Sequence, residues 1–188
     1  GIRIYPDEYL RRLRALCDEH WLLLITDEIA TGFGRTGAMF ACDRAGITPD
    51  LMTLGKGLTG GYLPMSAVMV TDRVYDSFRR DGDRSRTFYH GHTYCGAPIT
   101  PAVALAALDI YQEMDILNHI KPRIQQLEER TQELMEHLPH SICHTLGMIA
   151  SIEIAEEDGG ATRAKQIAQH AYEAGLYIRP LGSVVYLW

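Results

Sequence analysis

The chain has 188 residues, 46% of them hydrophobic and 22% charged, an ordinary globular composition with apolar material for one sizeable core or one and a half small ones. A formal net charge of -6 argues against nonspecific attraction to nucleic acid or anionic membrane, and the longest apolar runs, around Leu22 and Ala67, are far too short to span a bilayer. Cys17, Cys42, Cys95 and Cys143 are scattered with no CxxC pair, which favours a reduced, cytoplasmic setting over a disulfide scaffold.

No signal or transit segment opens the chain, there is no initiating methionine, and the closing VVYLW reads as a strand cut in mid-course, so the expectation is a fragment. Between Asp7 and His20 the apolar residues Leu10, Leu13, Leu16 and Cys17 recur at helical spacing with charge on the other face. This amphipathic helix feeds LLLIT, an apolar run that predicts a strand driven into the core and finished by Asp27 and Glu28. LMTL (51–54) and SAVMV (66–70) read as strands buried on both faces of an α/β sheet, flanking the loop GKGLTGGYLP. The alanine-rich PAVALAALDIY (101–111) suits a closely packed helix. Ile116, Ile120, Ile124, Leu127, Leu134 and Leu138 mark a long amphipathic helix after it, with Pro122 as a kink. Beyond Pro139 the pattern changes to strand (GMIASIEI), polar turn (EEDGG), a helix over 161–174 closed by Gly175, and a last strand in YIRPLGSVVYLW. A domain boundary is expected near Asp115, with residues 1–115 and 116–188 on its two sides.

Four stretches carry chemistry. Asp27 ends an apolar run, where burying a carboxylate costs several kcal/mol without a partner. The ordinary explanations are a helix cap or an ion pair with an arginine such as Arg35. The alternative is a cation from outside the protein, such as a protonated pyridine nitrogen, which a carboxylate keeps charged. Lys56 stands between Gly55 and Gly57, which admit a bulky planar group to the backbone, and an amine in a partly desolvated pocket becomes a nucleophile. A Walker A loop is excluded, because Asp50 stands where its first glycine belongs and Gly57 where Ser or Thr is required. FYHGHTYCG (88–96) lacks the spaced second pair of a zinc site; Thr93 in it offers a hydroxyl and an N–H to a phosphate just before a helix, or simply leads into that helix. Arg179, held extended by Pro180, can fork onto a carboxylate or form a surface ion pair.

Together, TDEIATGFGRTG, PDLMTLGKGLTGGYLP and the 29-residue step from Asp27 to Lys56 resemble the class III aminotransferases among the fold type I pyridoxal phosphate enzymes, over essentially the whole chain. The resemblance implies an α/β fold: part of a large, mostly parallel sheet domain with flanking helices, followed by part of an α+β small domain. It implies pyridoxal 5'-phosphate as cofactor, with Lys56 bonded to it and moving the proton, Asp27 on the pyridine nitrogen and Ile29 against one ring face. Thr93 would hold the cofactor phosphate of a partner subunit in a homodimer with shared active sites. Gly91 and His92 would lie near substrate, Arg179 would take the substrate carboxylate with Tyr186 lining the same pocket, and Arg35 would help recognise the amino donor. No metal is implied.

FACDRAGITPD, the HGHTY turn and IRPLGSVVYL resemble the branch of biotin biosynthesis that converts 8-amino-7-oxononanoate to 7,8-diaminononanoate. His92 replaces a proline and Ala97 an asparagine of the best-known members, so the donor stays open between adenosylmethionine and lysine. The resemblance also implies a protein more than twice this length, whose upstream half supplies a phosphate-cradling loop and a stacking aromatic. The alternatives are another class III aminotransferase with an ω-amine or ornithine-like donor, a racemase or aminomutase of the same fold, or a non-catalytic dimerisation module.

Overall fold

Pro6, at φ -64° and ψ 150°, turns the chain into helix α1 (Asp7–Glu19), where Asp7 and Glu8 in the first turn complement the helix dipole. The computed structural model describes residues 2–79 and 84–188. It divides into two units: one of Pro6–Phe33 and Met39–Ile116, the other of Gly34–Ala38 and Leu117–Trp188 with the N-terminal residues up to Tyr5.

In the first unit, α1 leads through the left-handed Trp21 (φ 57°) into strand β1 (Ile25–Asp27). Helix α2 (Ala41–Ala45) ends at the left-handed Gly46, and β2 (Leu51–Leu54) follows and pairs parallel to β1, with Asp27 opposite Thr53. β3 (Ala67–Val70) pairs antiparallel to β2, with Ala67 opposite Leu54, giving the order β1-β2-β3. Helices α3 (Asp72–Phe78) and α4 (Ile99–Glu113) complete the unit. Arg14 of α1 ties the entry side of the sheet. Its guanidinium is 2.8 Å from Asp50 and 2.7 Å from Asp18, and Asp50 also accepts the Leu24 N–H at 2.8 Å. The core gathers Phe33, Leu54, Leu58 and Ala104, with Met39, Phe40, Met52, Met65, Ala67 and Tyr111 against it.

The expected burial of these strands is corrected. Of the run before Asp27 only Leu24 is buried, while Leu22, Leu23 and Ile25 are exposed; Val68, Met69 and Val70 of β3 are exposed too. An apolar strand pattern signals a second layer against each face, and the described residues lay the core cluster over only part of this three-stranded sheet.

The second unit begins within a short helix α5 (Ile116–His119); α6 (Lys121–Met135) follows with Pro122 in its first turn. Proline therefore starts a helix rather than kinking one, because its missing N–H falls where no intrahelical partner exists. Strands β4 (Ile142–Leu146), β5 (Ile149–Glu153) and β6 (Val184–Leu187) form an antiparallel sheet in that order, with α7 (Gly160–Glu173) between β5 and β6. β4 is an addition to the expected strand, helix, strand pattern. Leu138, Ile152, Ile154, Ala164 and Val185 form its core. The β4–β5 turn sits against residues 34–38: Met148 N–H donates to the Arg35 carbonyl at 2.9 Å, and Gly147 (φ 58°) is so close that a Cβ there would lie 2.3 Å from the Thr36 carbonyl carbon. Only glycine fits.

Candidate active site

The alternation of a strand sends the adjacent carboxylates Asp27 and Glu28 to opposite sides. Glu28 is 1% exposed and accepts the N–H groups of Ala41 (3.1 Å) and Cys42 (2.9 Å) as well as the Thr31 hydroxyl. It thereby satisfies the orphan donors that open α2, so the helix-capping carboxylate is Glu28 and not its neighbour. Burial in that corner, with Glu28 beside it, pushes the Cys42 thiol up to about 11 and keeps it protonated.

Asp27 is exposed. Its Oδ1 accepts the Ile29 N–H and the Thr53 hydroxyl, each at 3.0 Å. Both bonds fall on one oxygen, which orients the carboxylate and leaves Oδ2 open among the described residues. Lys56 follows the C-terminal end of the neighbouring parallel strand by way of Gly55, so the acid and the amine stand at the same end of the β1–β2 pair. That end is where ligands collect in open α/β sheets. Lys56 begins a 3-10 turn (Lys56–Thr59) with its own φ at +42°. Ile29 packs onto Gly55, with Cγ2 at 3.4 Å from where a Cβ would be, which brings Ile29 beside the lysine turn. Lys56 is exposed, so the desolvation expected around its amine is not supplied by the described residues.

Gly91, His92 and Thr93 lie in an exposed turn ahead of α4. His92 N–H points to Cys95 Sγ at 3.3 Å, and the Tyr94 N–H points to His92 Nδ1 at 3.2 Å. In the second unit Arg179 is exposed, and the phenol of Tyr177 followed by that of Tyr186 raises its pKa above the usual arginine value. Tyr186 lies in β6, opposite Ser151 of β5. Arg35 lines a groove of about 390 Å³ with Arg123, Leu127, Arg130, Met148 and Trp188.

The sequence reading missed that groove and the Phe33–Tyr111 contact beneath the lysine turn. The groove had a signal, since Arg123, Leu127 and Arg130 recur at one-face helical spacing; the aromatic contact, 78 residues apart, had none. Among the described residues no three His, Cys, Asp or Glu side chains are grouped to hold a metal ion, and no helix is long and apolar enough to cross a membrane.

The family model described as aminotransferase class-III matches residues 1–188. The chain belongs to the class-III aminotransferases. It is 40% identical to the adenosylmethionine-8-amino-7-oxononanoate aminotransferase of Geobacter sulfurreducens, over 100% of this chain and 43% of that protein. The crystal structure of the enzyme of the same name from Methanocaldococcus jannaschii superposes with a TM-score of 0.90 at 36% identity, covering 100% of this chain and 45% of that one. A PLP-bound amine transaminase from an uncultivated Pseudomonas species superposes with a TM-score of 0.91 at 33% identity, over 100% and 44%. The class-III chain therefore spans less than half the length of these relatives. Its α/β architecture, with helices around the sheet that presents Asp27 and Lys56, is that of the fold type I transaminases.

Proposed function

We propose that this chain is part of a pyridoxal phosphate-dependent aminotransferase that converts 8-amino-7-oxononanoate to 7,8-diaminononanoate in biotin biosynthesis, with adenosylmethionine or lysine as amino donor. The observation that carries the reading is the placement of Asp27 and Lys56 at one end of adjacent parallel strands, in a chain 40% identical to a relative of that name.

The residues present fit the cofactor. Asp27 keeps one oxygen open while the other is pinned, as a partner for a protonated pyridine nitrogen must. The exposed Lys56 leaves its amine accessible to a planar ring, and Ile29, packed on Gly55, stands beside it as an apolar face. When bound, the cofactor supplies an electron sink for the carbanion formed at the donor carbon.

This chain's residues do the rest. Asp27 holds the ring nitrogen protonated by its negative charge. The Lys56 amine would hold the cofactor and, once freed, would carry the proton between the donor carbon and the cofactor, in the opposite sense for the keto substrate. Ile29 packs on one ring face. Thr93 gives its hydroxyl and N–H to the phosphate of the partner subunit's cofactor, with Gly91 and His92 beside it, so the active enzyme is a homodimer with shared sites. Arg179 forks onto the carboxylate of the oxononanoate next to Tyr186, and Arg35 reads the donor. The first unit serves as the cofactor-binding domain and the second as the small domain, in a cytoplasmic enzyme.

The deciding experiment supplies 8-amino-7-oxononanoate to the full-length protein with adenosylmethionine or with lysine and detects diaminononanoate by mass. Product with one donor and not the other names the donor; none with either rejects the substrate assignment. The likeness to an amine transaminase supports a second reading, in which the same residues act on simple amines with pyruvate and form alanine in place of diaminononanoate.

A further inference from the structure

The turn that carries Lys56 is held in a conformation its own residue does not favour. At φ +42° Lys56 lies in the left-handed region that side-chain-bearing residues rarely enter, and such a backbone persists only where its surroundings over-determine it. Inside the turn, Leu58 N–H donates to Gly55 O and Gly60 N–H to Gly57 O, both at 3.0 Å, and the Thr59 hydroxyl donates to Leu63 O at 2.6 Å. From outside, Ile29 presses on Gly55.

The tighter approach is at Gly57, where a Cβ would fall 2.7 Å from Phe33 Cβ and 2.9 Å from its Cγ. Phe33 is itself left-handed (φ 59°) and 8% exposed. Both of its backbone polar groups are committed: the N–H donates to Met39 O at 2.6 Å, and the carbonyl accepts the Tyr111 hydroxyl of α4 at 2.9 Å. Its ring meets Phe40 edge-on at 5.6 Å and Tyr111 at 6.2 Å. Two improbable backbones, at Phe33 and at Lys56, thus meet across a glycine that only glycine can fill, and the remote end of the arrangement is one phenol.

We propose that Phe33, fixed by the Tyr111 hydroxyl, is the positioning residue that holds the Lys56 turn in its reactive conformation. This rests on reading Lys56 as the lysine that takes the cofactor. Both aromatics act through the backbone of residues 56 and 57. A bulk filler would need only the ring, whereas this role needs the hydroxyl as well, because removing it leaves the Phe33 carbonyl short of a partner with no change in packing.

The test uses the full-length enzyme and the variants Tyr111→Phe and Phe33→Leu. In Tyr111→Phe, kcat falls about five- to tenfold with KM for both substrates nearly unchanged, the equivalent of one lost hydrogen bond. In the cofactor-free protein, amide hydrogen exchange at Leu58 and Gly60 quickens while the β5 amides keep their rates. The pH midpoint of the bound cofactor's visible band moves with kcat. Phe33→Leu changes the same quantities further in the same direction. Wild-type kcat with wild-type exchange at Leu58 and Gly60 in either variant overturns the proposal, and a lowered thermal midpoint alone counts as that outcome. The control is Lys56→Ala. If it retains turnover and the visible band, the functional reading has failed; if it loses both while Tyr111→Phe is normal, only the positioning role has failed.

Discussion

Lys56 and Arg179 are both exposed side chains proposed to meet a ligand, yet the backbone beneath them differs. Lys56 stands on a left-handed turn with internal hydrogen bonds, pressed by Ile29 on one glycine and by Phe33 on the other. Arg179 stands in residues 176–183 between α7 and β6, where Leu176, Tyr177 and Leu181 are exposed and a bridge joins Leu181 to Val184. The contrast follows the proposed tasks. A group that moves a proton between two defined atoms loses rate steeply with misplacement. A guanidinium that meets a carboxylate at the end of a flexible chain needs charge and reach, and its planar fork supplies its own geometry.

The largest effect should come from the Lys56 side. Lys56→Ala in the full-length enzyme removes turnover and the visible absorbance of bound cofactor together, read by a spectrum and a product assay on one sample. Asp27→Asn comes next: it keeps the fold by circular dichroism, because Asn can still accept the Ile29 and Thr53 bonds, but removes the charge and lowers kcat by about 10²-fold or more. A near-normal rate would reject its role on the ring nitrogen.

Much of this contrast was readable beforehand, for reasons that can be named. α1, α4 and α7 announce themselves through a 3.6-residue apolar period or an alanine-rich run, and family membership through TDEIATGFGRTG and the step to Lys56. Exposure of Leu22, Leu23 and Ile25 was not readable, because an apolar strand looks the same whether or not its covering layer is part of the stretch in hand. Nor was Glu28 readable as the buried cap of α2: thirteen and fourteen residues separate it from Ala41 and Cys42, and capping rules look only to adjacent positions. Phe33 reads as one apolar letter in a glycine-rich loop until α4 brings Tyr111 to its carbonyl.

The Arg179 side gives the next test. Arg179→Ala should raise KM for the keto substrate by about 10- to 100-fold, the loss of a charged hydrogen-bonding partner, with a smaller change in kcat. Arg179→Lys should recover only part, since an ammonium does not fork. A kcat effect that matched Lys56→Ala would erase the distinction between the two regions.

The smallest effect tests the entry end of the same strands. The Leu24 N–H, and after it the Arg14 guanidinium, hold the Asp50 carboxyl below the usual range. A carboxylate with a lowered folded pKa stabilises the fold above its unfolded value of about 3.9, and that contribution is lost as pH falls through the folded value. Thermal midpoints measured from pH 6 downward should therefore fall less steeply in Asp50→Asn than in the parent, from a lower starting point, with kcat at neutral pH unchanged. Equal slopes would remove Asp50 from the acid sensitivity of this end.

Gly147 sets the order in which the molecule can be finished. Residues 34–38 precede by more than a hundred residues the hairpin turn they lie against, whose Gly147 accepts no side chain and whose Met148 N–H donates to Arg35. Until that turn forms the loop bearing Arg35 has no bed to settle in, and this long-range closure belongs among the slow, late events of folding.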